Sequence, residues 1–225
     1  MRFLKKVWVI TRKDLILELR TKEVLSSMFV FTLLVVVIFN FAFQGQQADI
    51  KRLSSGILWV AFTFAGILGL SRSFIIEKDE HCLEGLLLSP LDRGSIYLGK
   101  MLANFIFMAI VQAVIFPIFA VLFNFNILYF IPKLIPIFFL STLGFASVGT
   151  ILSAISVNTR TREVMLPILL FPVMVPIIIS AVRSTANILN GGSLVEMLSW
   201  LKLLIIFDTI FLVVSFLSFD FVVEE

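Results

Sequence analysis

Long apolar runs separated by short polar segments dominate the pattern of this chain. Each run is long enough to cross a bilayer as a helix, which takes about 20 mostly apolar residues. The six runs lie at 24–43, 56–76, 101–124, 133–156, 164–183 and 201–223. We therefore predict an all-α polytopic membrane protein with about six transmembrane helices in a single domain, residues 1–225.

The first 22 residues follow a different pattern, in which apolar and charged side chains alternate with helical spacing. The apolar positions are Phe3, Leu4, Val7, Trp8, Leu15 and Leu19, and the charged positions include Arg12, Asp14, Glu18 and Arg20. This pattern predicts an amphipathic helix, 1–22, lying in the membrane interface; the alternative is a charged leader that only sets orientation. No small-residue cleavage site follows, so we expect the N-terminus to be retained.

Composition and charge support the membrane assignment and suggest an orientation. Apolar residues make up 60% and charged residues 15% of the chain, against roughly half and a quarter in soluble domains. With the N-terminus in the cytoplasm, 13 of the 18 Lys and Arg residues lie on the cytoplasmic side, as the positive-inside rule requires. We expect both termini in the cytoplasm and no nucleic-acid partner.

Two predicted spans carry unusual residues. The fourth presents a face of small side chains, which predicts close helix packing: Thr142, Ala146, Gly149, Thr150, Ser153 and Ala154. The fifth contains Pro167, Pro172 and Pro176, each of which removes a backbone donor and favours a bend. Such a bend could serve as a mobile gate, or it could reflect only the higher frequency of proline in membrane helices.

Asp208 lies inside the sixth predicted span. A carboxylate at that depth is unfavourable unless it faces protein or water. We expect a structural ion pair with Arg183 or Lys202, and a role in gating or substrate passage is the alternative.

The longest cytoplasmic connection, within 75–100, is the candidate for partner binding. It mixes acids with an apolar run and a Ser-Pro stop, which predicts a short amphipathic helix: Glu84, Gly85, Leu86, Leu87, Leu88, Ser89, Pro90 and Arg93. This helix could enter a groove of a cytoplasmic partner or lie against the protein's own helices. Gly94 to Lys100 match most of a phosphate-binding loop, but Met101 replaces the required hydroxyl, so we expect no nucleotide site.

No catalytic or metal-binding pattern is visible. The chain has one histidine, His81, and one cysteine, Cys82, and both lie in the connector, where we expect an exposed polar residue and a small half-buried one. A single histidine supplies no pair of axial haem ligands. We expect a non-catalytic protein that binds no cofactor or metal of its own.

Five stretches together resemble the haem exporter protein B family of the bacterial system I for cytochrome c maturation. They are RKDLILELR at 12–20, GILWVAFTFAGILGL at 56–70, LEGLLLSPLDRGSIYLGKMLAN at 83–104, PILLFPVMVPIIISAV at 167–182 and FDTIFLVVSFLSFDFVVEE at 207–225. The chain departs from the family pattern at Ser71-Arg72, where Glu-Arg is usual, and at His81-Cys82, where Gly-Thr or Gly-Ser is usual.

The resemblance implies a permease of the ABC-2 type in the bacterial inner membrane. It implies that the chain pairs with a second copy of itself and with two copies of a separate ATPase, which binds the ATP. Segment 77–98 would be the coupling segment and 1–22 an elbow helix. Further implied partners are a haem-handling membrane subunit, a small membrane subunit and a periplasmic haem chaperone, and haem would be carried by those subunits.

The same resemblance implies a function: ATP hydrolysis by the partner would drive haem delivery, with release of the haem-loaded chaperone. One alternative is a related exporter permease for a lipid, drug or polysaccharide. A second alternative is a passive membrane scaffold that only recruits an ATPase.

Overall fold

The structure is a computed structural model that describes residues 3–43, 47–79, 85, 91–125, 127–157, 159 and 161–222. Over this part of the chain the architecture is all helical, as predicted, and its elements are α1 (Phe3–Thr21), α2 (Glu23–Ala42), α3 (Gln47–Asp79), α4 (Arg93–Leu122), α5 (Ile127–Val157), α6 (Arg162–Leu189) and α7 (Leu194–Val222). Helices α2 to α7 each contain a stretch long and apolar enough to cross a membrane. The prediction of six spans is confirmed.

The helices run well past most of the predicted apolar runs. Helix α3 begins nine residues before the run predicted from 56, and α7 begins seven residues before the run predicted from 201. A helix keeps its backbone hydrogen bonds where it extends beyond the hydrocarbon layer, but its residues there are polar. Apolar patterning therefore detects only the apolar part of the helix. Predicted boundaries are therefore short of the real ones.

A tight turn separates α6, which ends at Leu189, from α7, which begins at Leu194, although the predicted spans end at 183 and begin at 201. Gly191 adopts a φ of 70°, which only glycine takes without strain. The Gly192 N–H donates to the carbonyl of Asn187 at 2.8 Å, and the Gly191 N–H to that of Ile188 at 3.2 Å. These bonds form a Schellman cap that ends α6 and turns the chain directly into α7.

Helices α3 and α5 form the centre of the bundle. They are the most buried of the six spans, whereas α2 and α7 are the most exposed. Helix α5 packs against α3, α4, α6 and α7. The small-residue face predicted for α5 is confirmed, because its residues are buried against these neighbours. We call the end of the bundle with α1, the end of α3 and the start of α4 the connector end, and the opposite end the distal end.

Polar side chains link the central helices inside the apolar bundle. Asn104 donates to Thr150 at 3.0 Å and Thr142 to Gln112 at 2.9 Å, joining α4 to α5. Nearer the distal end, Trp59 of α3 donates to Thr185 of α6 at 2.9 Å. Tyr97 of α4 donates to the carbonyl of Ser147 in α5, and Ser153 of α5 donates to the carbonyl of Leu70 in α3. Bonds of this kind between membrane helices contribute about 0.6–2 kcal/mol each and fix their register.

Helix α6 continues without interruption through its three prolines. Pro172 and Pro176 lie on the exposed side of the helix, while Leu170, Met174 and Ile177 form its buried side. The Ser180 hydroxyl donates to the carbonyl of Pro176 at 2.7 Å, so one backbone acceptor in this region gains a side-chain donor. A gating role for these prolines stays a prediction.

Helix α1 approaches α4 more closely than any side chain on Gly99 would allow. A Cβ on Gly99 would lie 2.7 Å from the Cβ of Ile10 and 3.2 Å from the carbonyl oxygen of Val7. The Thr11 hydroxyl donates to the carbonyl of Gly99 at 3.0 Å. Glycine at this position therefore sets the distance between the two helices.

We expect Gly99→Ala to lower the thermal unfolding midpoint of the protein in detergent. The added methyl group forces α1 away from α4, at a cost of about 1–3 kcal/mol, which exceeds the roughly 1 kcal/mol gained in helix propensity. Gly56→Ala is the matched control, because nothing lies within 4 Å of its Cβ position. Equal unfolding midpoints for the two variants would refute the close approach.

Candidate functional site

The side of α1 that contacts α4 differs from the side that the sequence pattern indicated. The buried residues are Val7, Ile10, Thr11, Asp14 and Glu18, which recur at helical spacing along one face. Most of the predicted apolar face is instead turned outward, including Leu4, Trp8 and Leu19. The prediction that this segment is a helix is confirmed, and its position in the membrane interface stays a prediction.

A buried ion pair joins α1 to α4. The Lys100 ammonium lies 3.0 Å from a carboxylate oxygen of Asp14, and Lys13 lies 3.2 Å from the other. Lys100 also donates to the carbonyl of Ser73 at 3.3 Å and lies 5.4 Å from the centre of the Phe74 ring. Because Ser73 and Phe74 belong to the end of α3, one ammonium group connects three helices.

Glu18 fixes the turn between α1 and α2. Its carboxylate accepts the backbone N–H of Leu25 at 2.7 Å, which is one of the otherwise unpaired donors in the first turn of α2. Between the helices, Lys22 adopts a φ of 58°. Arg12 and Arg20, the two basic residues predicted with Glu18, are exposed.

The connector between α3 and α4 ends on α1 and α7. Asp92, the last residue before α4, lies 2.9 Å from the Lys6 ammonium of α1. Arg93 donates to the carbonyl of Asp220 in α7 at 3.0 Å. The hydrogen bond from Lys6, together with its charge, holds the pKa of Asp92 below its usual value, so this interaction is present at neutral pH and is lost as the pH falls through that lowered pKa.

The last turns of α3, which precede the connector, contact α2 and Lys100 of α4. In α3, the Arg72 guanidinium lies 3.5 Å from Glu23 at the start of α2, and the next two residues contact Lys100. The neighbouring Ser71 donates to the carbonyl of Ile67 within its own helix at 2.8 Å. The end of the connector, at Asp92, therefore lies on a group formed by α1, the last turns of α3 and the start of α4, which we call the connector frame.

The predicted coupling segment 77–98 includes the end of α3 and the start of α4, and its coupling role stays a prediction. Residues 77–79 belong to α3, and residues 93–98, with Arg93, belong to α4. Eight residues with sequence-based predictions lie outside the described part of the chain: His81, Cys82, Glu84, Leu86, Leu87, Leu88, Ser89 and Pro90. Gly85 is helical and exposed, with nothing within 4 Å of its Cβ position.

The residues that resemble a phosphate-binding loop have packing roles. A Cβ on Gly94 would lie 2.6 Å from the ring of Phe216 in α7, and Gly99 contacts α1. Lys100 is 2% exposed and paired with Asp14. This packing agrees with the expectation of no nucleotide site, which stays a prediction, because a phosphate would need Lys100 and the loop backbone to be free.

The expected ion pair of Asp208 is wrong. Among the described residues, neither carboxylate oxygen has a hydrogen-bond partner, although the residue is only 4% exposed. Arg183 and Lys202 are both exposed. The carboxyl points between helices instead, against α5 at Gly144, where it occupies the space that a Cβ would take.

Sequence reasoning missed Lys100, Lys6 and Asp92 as members of the connector frame. It counted the two lysines only as cytoplasmic charges, and Asp92 only as part of the connector. One signal was present: Asp14 and Glu18 are four residues apart, on the same helical face as Val7 and Thr11. Acids in line with a buried face require partners on another element.

The arrangement defines a multi-pass helical membrane protein in which the end of the connector between α3 and α4 is held by α1 and α7. Within the described residues, no three His, Cys, Asp or Glu side chains come together as a metal site requires. Residues 5–224 match the family model described as CcmB protein. The chain belongs to the CcmB protein family.

Three relatives named "Heme exporter protein B" are similar along most of their length. The protein from Pseudomonas aeruginosa is 26% identical over 177 residues, 79% of each chain. That from Rhodobacter capsulatus is 28% identical over 167 residues, covering 74% of this chain and 76% of the relative. That from Haemophilus influenzae is 27% identical over 190 residues, covering 83% and 85%.

We expect Asp14 and Lys100 to be strongly coupled in a double-mutant cycle. Asp14→Asn and Lys100→Met should each lower the free energy of unfolding by about 3–5 kcal/mol, because each leaves a buried charge without its main partner. The double variant should lose much less than the sum of the two. Unfolding midpoints in detergent give this comparison.

The exposed pair Lys6–Asp92 is the matched control for the cycle. Asp92 is largely exposed, so Lys6→Met and Asp92→Asn should change the midpoint little, singly or together. Additive losses at Asp14 and Lys100 would contradict a buried ion pair.

Proposed function

We propose that this protein is the membrane subunit of an ATP-binding-cassette transporter that serves haem delivery in c-type cytochrome biogenesis. The match to the CcmB protein family over 5–224 is the observation that carries this proposal. The relatives' printed name, "Heme exporter protein B", supports haem as the molecule handled by the complex.

In this proposal the protein is non-catalytic, and ATP hydrolysis takes place on a separate ATPase, present in two copies beside two copies of this chain. The other partners are a haem-handling membrane subunit, a small membrane subunit and the periplasmic haem chaperone. The ATPase-driven step is release of the haem-loaded chaperone. No cofactor is bound by this chain.

The protein lies in the bacterial inner membrane with both termini in the cytoplasm. The distribution of Lys and Arg supports this orientation. It puts the connector frame on the cytoplasmic side, where an ATPase subunit binds.

The connector, Glu84 to Arg93, acts as the coupling helix. A segment that receives force must be attached to the helices it moves, and the connector frame meets this requirement. Asp92 is paired with Lys6 of α1, Arg93 is bonded to α7, and Lys100, two turns further on, is paired with Asp14. A force on the connector therefore acts on α1 and α4 as one unit and reaches α7 through Arg93.

Complementation of a gene deletion tests both the pathway and the coupling role. Covalently haem-stained c-type cytochromes should disappear in the deletion strain and return with the wild-type gene. Leu87→Asp should fail to restore them, while the variant still copurifies with the ATPase, because a charge in the apolar run of the connector prevents transmission. Leu87→Met, which keeps size and apolarity, should restore them.

Two results would contradict the proposal separately. Normal cytochromes in the deletion strain would exclude the haem-delivery role and favour an exporter of a lipid, drug or polysaccharide. Full activity of Leu87→Asp would exclude the connector as the coupling helix and leave the haem-delivery role standing.

A further inference from the structure

Asp208 lies at the middle of α7, in the part of the bundle farthest from both ends of the helices. It is 4% exposed. At the position of a Cβ on Gly144, its carboxyl meets the side chain of Ile177 from α6, which lies 2.6 Å from the same point. The carboxyl is thus enclosed between α5, α6 and α7.

Nothing in the described surroundings neutralises this carboxyl. Helices α4, α5 and α6 pack against α7. Besides Asp208, the titratable or charged residues on these four helices are Arg93, Tyr97, Lys100, Tyr129, Lys133, Arg162, Glu163, Arg183, Glu196, Lys202 and Asp220. Arg183 and Lys202 are exposed, and Lys100 is paired with Asp14. Among the described residues, Asp208 has no hydrogen-bond partner on either oxygen.

A small cavity with a mainly apolar lining shares Ile177 with this contact. Ser141 precedes Gly144 by one turn of α5, and its buried hydroxyl has no hydrogen-bond partner among the described residues. Ser141 and Ile177 both line a cavity of about 20 Å³, together with Thr63, Gln112 and Thr142. A cavity of this size holds about one water molecule.

We propose that Asp208 is a proton-binding site at the centre of the bundle, occupied by a proton when α7 is packed against α5. An ionised carboxylate without hydrogen bonds in a membrane interior is far less stable than the neutral acid, and among the described residues no cation pairs with Asp208 to offset the charge.

This site adds a property to the protein that the haem-delivery role does not require. Loss of the proton places a bare charge between α5, α6 and α7, which favours separation of α7 from Gly144. Proton occupancy and helix packing are therefore linked: the proton binds the packed state more tightly than the separated state.

Infrared spectroscopy of the full chain in lipid nanodiscs at neutral pH tests the proposal. We expect the wild-type spectrum minus that of Asp208→Asn to contain the C=O stretch of one protonated carboxylic acid, shifted in heavy water. The asparagine side chain resembles the neutral acid in shape, so the variant should unfold at a temperature no lower than the wild type. Glu196→Gln is the control, because Glu196 is exposed on the same helix and accepts a hydrogen bond from Asn187; its difference spectrum should contain only ionised carboxylate bands.

Ionised carboxylate bands in the difference spectrum of Asp208→Asn would overturn the proposal. If that variant does not fold, wild-type protein labelled with ¹³C at the aspartate carboxyl gives the same answer. A protonated aspartate band supports the site, and a spectrum with only ionised aspartates overturns it. Neither result bears on whether the complex delivers haem.

Discussion

The connector end of this protein depends on the contact between Asp14 and Lys100. Both side chains are almost fully buried, and their charged atoms lie 3.0 Å apart. Removing two charges from water is unfavourable unless they form a well-aligned ion pair and their remaining donors and acceptors are hydrogen-bonded. Lys13, the carbonyl of Ser73 and the ring of Phe74 complete the group. Without it, α1 would be held on α4 by the packing of Ile10 on Gly99, the Thr11–Gly99 hydrogen bond and the Lys6–Asp92 pair.

Asp14 and Asp208 are both buried, but their surroundings are opposite. Asp14 is neutralised by lysines and links elements that the proposed mechanism requires to move together. Asp208 has no such partner among the described residues and lies where α5, α6 and α7 meet. A paired charge makes an interface rigid, because separating it exposes two ions. A protonated acid allows an interface to open and close, because the gain or loss of one proton changes the stability of the packed interface.

Much of the fold could be predicted from the sequence, because the bilayer restricts what an apolar run can form. The number of spans, their order and the small-residue face of α5 all followed from patterning. The helix ends did not, because hydrogen bonding continues after hydropathy falls. The turn at Gly191 could not be predicted from composition, because a Schellman cap and a flexible loop are both rich in glycine and asparagine.

The site was less predictable, because its central contacts are between residues far apart in the chain. Asp14 and Lys100 are each ordinary charges by sequence, and only the packing of α1 on α4 brings them together. Asp208 was recognised as unusual from its position, but its surroundings were not. Arg183 and Lys202 were the predicted ion-pair partners of Asp208, yet both side chains are exposed.

The central claim is that α1 and α4 move as one unit when the ATPase acts on the connector. Pulsed electron spin resonance on the assembled complex measures this directly, with spin labels at the exposed positions Arg12 and Val114 and, in a second sample, at Arg12 and Lys202, all with Cys82→Ser. We expect the distance from Arg12 to Val114 to be the same without nucleotide and with ATP, while the distance from Arg12 to Lys202 changes. An ATP-dependent change between Arg12 and Val114 would show that α1 moves independently of α4 and would contradict the account.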